Sequence, residues 1–197
     1  MQEFEALVTR THEVGLKVVL DFVPNHVARQ YHSDTAPEGV DDLGAHDNKE
    51  MHFSPSNNFY YIPRQAFTPQ FYIGEGEDRY FEYPAKATGN DCFGAFPGEY
   101  DWYETVKLNY GVDYTGGGRC HFDPIPDTWY KMLDILLFWC GKGADAFRCD
   151  MAHMVPVEFW NWAISKVKEN YPSVIFIAEI CIGFISRKVN SITYMIK

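Results

Sequence analysis

Apolar positions along the chain fall into two regimes. At the start, Phe4, Leu7, Val8 and Thr11 recur at helical spacing, and this predicts a helix over about 3–13 that stops near Gly15. KVVLDFV (17–23) follows, an apolar run rich in β-branched residues, interrupted by Asp21 and closed by Pro24; it predicts a strand buried on both faces, as in a parallel sheet. Helical spacing returns after Asp127, a good N-cap, through Trp129, Met132, Leu133, Leu136, Leu137 and Cys140, until Gly141 and Gly143. ADAFRC (144–149) predicts a second strand. Pro156 opens a further helix with Trp160, Ala163, Ile164 and Val167 on one face, ending near Tyr171 and Pro172, and SVIFIAEI (173–180) predicts a third buried strand.

Between these regular parts, residues 27–126 hold dense Tyr, Phe, Pro, Gly, Asn and Asp with no sustained period. A hundred irregular residues are too many for a connecting loop, so the stretch predicts an inserted subdomain. The chain then divides into 1–26, the insertion 27–126, a second regular part 127–180, and a tail 181–197. Strands alternating with helices predict an α/β fold with a parallel sheet and right-handed crossovers.

Composition narrows the function. Apolar residues make up 46% and charged residues 22%, an ordinary globular balance. With 17 basic against 27 acidic residues and a net charge of −10, the chain would be repelled by a phosphate backbone or an anionic membrane surface, so nucleic acid is excluded as a partner. No run of 18 apolar residues predicts a membrane span, and no signal-peptide pattern opens the chain. Five widely spaced cysteines, Cys92, Cys120, Cys140, Cys149 and Cys181, form no C-x-x-C pair and favour a reducing, cytoplasmic setting. Aromatic residues reach 17%, many in turn-rich stretches, where their flat faces would suit sugar rings or fill an irregular core.

Parallel α/β folds gather reactive groups at the C-terminal ends of their strands. All three predicted strands end in polar residues: Asp21 with Asn25 and His26, Arg148 with Asp150, and Glu179. Alternation along a strand turns Arg148 and Asp150 to one side. The arginine is expected to lower the Asp150 pKa, which suits a nucleophile. Glu179, at the end of an apolar strand, is expected to have a raised pKa, which suits a proton donor. One ionised and one protonable carboxyl is the equipment of glycosidic bond cleavage. The same residues would also serve as a salt bridge closing the sheet end, a surface carboxylate and a polar turn after Pro24.

In order, DFVPNH (21–26), AFRCD (146–150) and IAEI (177–180) resemble the signature segments of the α-amylase family of glycoside hydrolases. LNYGVDY (108–114) and the stretch leading to AFRCD are similar to that family as well. The resemblance implies part of a (β/α)8 TIM barrel, about its strands 3 to 5, with an irregular domain B inserted after strand 3. It implies Asp150 as nucleophile, Glu179 as general acid and then base, Arg148 as the group holding the nucleophile ionised, and His26 as a sugar contact. Asn25 would help to bind a structural calcium, Asp21 would be a structural polar residue near the site, and no organic cofactor is implied. His153 and Met154 stand where many members carry Lys and His to shape the next sugar site. The substrate implied is an α-glucan or maltooligosaccharide, cleaved with retention of configuration.

The family's third catalytic carboxylate and its remaining strands are expected outside residues 1–197, and the tail 181–197, with basic but no acidic residues, reads as a truncation or frameshift near Ile180. An open piece of barrel is expected to expose sheet edges and apolar helix faces. Three readings stay open: an α-glucan hydrolase, an α-glucosidase or transglycosylase using the same carboxyls, and an inactive glucan-binding remnant relying on rings such as Trp102, Tyr103 and Tyr110.

Overall fold

The computed structural model describes residues 1–33, 38–72 and 80–180, and the backbone of 192–196. Its elements run α1 (Gln2–Glu13), β1 (Val19–Phe22), β2 (His26–Ala28), β3 (Tyr61–Ile62), β4 (Ala85–Lys86), β5 (Thr105–Lys107), β6 (Val112–Asp113), β7 (Arg119–Cys120), α2 (Asp127–Gly141), β8 (Ala146–Cys149), a 3-10 turn (Ala152–Met154), α3 (Val157–Asn170), β9 (Ile175–Ile180) and β10 (Ile192–Ile196). They divide into two compact units, one formed by 1–25 with 129–197, the other by 26–128.

The first unit is built on a four-stranded parallel sheet of order β1-β8-β9-β10. The sheet is open, and among the described residues there is no closed barrel. Its edge gains a strand where no regular element was expected, since residues 192–196 pair in parallel with β9; ITYMI is rich in β-branched and aromatic residues, as strands are. The rest of the tail, 181–191 and Lys197, lies outside the described residues. Phe22, Phe147 and Phe176, one from each of β1, β8 and β9, form the apolar layer. Phe147 stacks on Phe176 at 5.6 Å, and Phe22 meets Trp160 of α3 at 6.3 Å. Gly143, at φ 93°, turns α2 into β8 where a Cβ would fall 2.8 Å from Val8. The expected apolar face of α1 is only partly covered: Val8 is buried and Phe4 packs on Trp139 at 5.0 Å, whereas Leu7 is exposed, as are Val19 on β1 and Phe138 on α2.

The second unit is irregular; its described residues form three two-stranded antiparallel ladders, β2 with β5, β3 with β4 and β6 with β7. A chain with so little ladder must satisfy its buried backbone groups by other means. Buried asparagines do this: the Asn109 amide donates to the carbonyls of Ser54 and Asn57 and accepts from Gly111 N–H, while Asn58 accepts from Gly44 N–H.

Candidate active site

Register brings the polar strand ends of the first unit together. Asp21 lies opposite Arg148 across β1 and β8, and Cys149 lies opposite Ala178 across β8 and β9, so the residues that follow, Asp150 and Glu179, come level at the end of adjacent strands. Arg148 is the hub. Its Nη1 donates to both Asp21 oxygens at 2.7 and 3.0 Å and stands 3.0 Å from Asp150 Oδ1, and its Nη2 donates to Glu179 Oε2. One guanidinium therefore serves three carboxyl groups. The side chain of Glu179 is 6% exposed, that of Asp150 20% and that of Asp21 57%, so the cluster grades from buried to open.

The chain turns sharply after Asp150. Its N–H donates to the Phe22 carbonyl at 2.9 Å, and Met151 follows at φ 46°, a left-handed conformation that costs a non-glycine residue about 1 kcal/mol or more. The 3-10 turn after it is held by Trp160, whose Nε1 donates to the Ala152 carbonyl at 3.0 Å. His153 sits on this turn, partly buried, three residues past Asp150. Nothing in the sequence pattern marked Met151 as a strained position or Trp160 as the anchor of the turn.

The expected low pKa of Asp150 is overturned. Burial and a hydrogen bond with the Glu179 carboxyl push it up, and the Arg148 charge opposes them without reversing the direction. Reasoning along one strand counted the arginine two residues away but not the carboxyl delivered by the neighbouring strand.

A consequence for stability follows. The folded chain holds the Asp150 proton more tightly than the unfolded chain, so this group's contribution is present in acid and lost as pH rises through its raised pKa. Asp150→Asn keeps the shape and removes the charge. It is expected to raise Tm by a few degrees at about pH 7 and by less at about pH 4, as read by scanning calorimetry at both.

The remaining expected residues are Asn25 and His26. Asn25 is buried at the end of the first segment of the first unit. His26 belongs to the second unit, where it pairs with Lys107 across β2 and β5 and packs on Trp102 at 5.4 Å; burial first, and then the Lys107 charge, lower its pKa. Among the described residues no three His, Cys, Asp or Glu side chains are grouped to hold a metal ion. Calcium takes six to eight oxygen ligands, usually with several carboxylates. No step below runs through a metal.

No family model matches the chain. Among curated proteins it is similar to alpha-1,4-glucan:maltose-1-phosphate maltosyltransferases. That of Corynebacterium pseudotuberculosis is 49% identical over 184 residues, covering 91% of this chain and 18% of that protein. That of Cereibacter sphaeroides is 46% identical over 89 residues, covering 42% of this chain and 15% of that protein. The chain thus spans less than a fifth of the length of either relative. Among solved structures, an alpha-amylase from Lactobacillus plantarum matches 93% of this chain with 30% of its own, at a TM-score of 0.50 and 27% identity. A family GH13_31 enzyme matches all of this chain with 38% of its own, at a TM-score of 0.52; its 19% identity speaks to the fold alone.

Proposed function

The chain belongs to the α-amylase family of glycoside hydrolases and holds part of its catalytic domain, and on that premise we propose that it carries the nucleophile and the acid–base carboxyl of a retaining α-glucan-active enzyme that transfers maltosyl units. The observation that carries this reading is the single Arg148 guanidinium reaching Asp21, Asp150 and Glu179 at the ends of three adjacent parallel strands.

In this reading Asp150 attacks the anomeric carbon while Glu179 gives its proton to the departing oxygen, leaving a glycosyl ester on Asp150. Glu179, now ionised, takes the proton from an incoming acceptor hydroxyl, which displaces Asp150 and restores the original configuration. Arg148 holds both carboxyls in register and offsets their charge as the proton moves. Asp21 keeps the guanidinium in place. His153, on the turn after the nucleophile, borders the neighbouring sugar site, and His26 is proposed as a further sugar contact.

Transfer is preferred to hydrolysis because the relatives named above are maltosyltransferases; the Lactobacillus plantarum alpha-amylase supports hydrolysis as a second reading. The two separate on incubation with maltose 1-phosphate and maltohexaose. Transfer gives chains longer by two glucose units in step with phosphate release, and hydrolysis gives free maltose. Glu179→Gln is expected to slow cleavage of a glucan by roughly 10^2 to 10^4-fold. With maltosyl fluoride, whose leaving group needs no proton, the first step should be spared, so Glu179→Gln should still release a burst of fluoride while later turnover stays slow for want of the base. Loss of that burst would remove the proton-donor role from Glu179.

A further inference from the structure

The second unit contains a pocket of about 470 Å3 that shares no residue with the carboxyl cluster of the first. Its volume lies within the roughly 300–1,000 Å3 typical of small-molecule sites. Five rings line it: Phe67, Phe71, Tyr72, Tyr80 and Tyr103. Two of them are packed edge to face on others of the set, Phe71 on Tyr103 at 4.5 Å and Phe67 on Tyr80 at 5.9 Å, and Tyr80 and Tyr103 rest on the small core of Ile62, Phe67, Ala85 and Ala95. Tyr72, by contrast, is 73% exposed and stands at the mouth.

The polar lining indicates what such a pocket accepts. Arg29 has its charge already met. Nη1 donates to Glu82 at 2.6 Å and to the Lys86 carbonyl at 3.2 Å, Nε to the Tyr103 carbonyl at 2.7 Å and Nη2 to the Thr105 carbonyl at 2.9 Å, and the guanidinium lies 4.0 Å over the Phe67 ring. A guanidinium so engaged attracts no anion. Among the described lining residues the carboxylate is that of Glu104, which repels one, and Gln30 adds an amide that both donates and accepts. Aromatic faces beside a carboxylate and an amide fit a neutral ring with C–H faces and hydroxyl edges.

We propose that this pocket binds a glucosyl unit of a neutral maltooligosaccharide, as a holding site separate from the carboxyls. The proposal rests on the α-glucan reading for its ligand and not for its geometry. In use, the site would keep a glucan chain attached to the protein between rounds of reaction at the strand ends.

The test is calorimetric titration of maltoheptaose into the full 197-residue chain, native and with Asp150→Asn plus Glu179→Gln. Both are expected to bind. In the doubly substituted background, Tyr72→Ala is expected to weaken binding by roughly tenfold; Tyr72 is exposed, so its truncation should leave the circular dichroism spectrum unchanged. In the same background maltose should bind more tightly than maltose 1-phosphate. Loss of all binding in the double variant, no effect of Tyr72→Ala, or tighter binding of the phosphorylated sugar would each overturn the proposal. Pocket binding without any Asp150-dependent turnover would instead count against the proposed activity and leave the pocket standing.

Discussion

Asp150→Ala is expected to reduce glucan cleavage or transfer by on the order of 10^4-fold or more, because it removes the group that forms the covalent intermediate rather than one that assists it. Burial and the Glu179 carboxyl raise the Asp150 pKa, so activity should fall as pH drops through that raised value and the nucleophile becomes protonated. The comparison is the initial rate of the native and substituted chains on maltohexaose, with folding checked by circular dichroism. Equal measurable rates would assign the activity to another group, and no turnover by either chain would favour a glucan-binding remnant over a catalyst.

The largest effect on stability is expected in the second unit, at Arg29. Its side chain is 4% exposed and that of Glu82 is 7% exposed, so neither can turn to water if the other is removed. Glu82 also accepts from Tyr80 O–H at 2.9 Å and from the Lys86 N–H at 2.8 Å, and Arg29 ties three carbonyls from two separate segments, that of Lys86 and those of Tyr103 and Thr105. Arg29→Ala leaves a buried carboxylate without its closest cation and those carbonyls without their donors, which should cost about 3–5 kcal/mol. Arg29→Lys should recover little, since an ammonium cannot reproduce the planar fork that meets four acceptors at once. Urea unfolding of the full chain measures both. A loss below about 1 kcal/mol for Arg29→Ala would mean that the unit does not depend on this knot.

Legibility in the sequence followed the range of the interactions. Helix α1, strand β1, helices α2 and α3 and strands β8 and β9 announce themselves through local periods of 3.6 or through short apolar runs, and the spacing of their buried residues was readable. The three strand-end clusters were readable too, because a parallel sheet forces the ends of its strands to one edge. What register adds across strands was not readable. Asp150 meets Glu179 only when β8 and β9 are aligned, and that meeting turns its pKa upward where Arg148 alone would turn it down. The order of the second unit was hidden for the same reason. Arg29 with Glu82, and the 2% exposed Lys107 with Asp91 at 2.6 Å, join positions far apart in sequence. Asn58 and Asn109 lie in the stretch 27–126, where no period marks which residues are buried, yet they are buried and stand in for missing ladder bonds. Leu7 fitted the helical stripe of α1 but lies exposed, because a periodic pattern indicates a face without indicating what covers it.

Trapping the covalent intermediate tests the central claim most directly. Incubating the full chain with a fluorinated maltosyl fluoride, which forms the glycosyl ester faster than the ester turns over, and mapping the labelled peptide by mass spectrometry should find one modified carboxyl, Asp150. A label on another residue, or turnover of the donor with no ester formed, would contradict it.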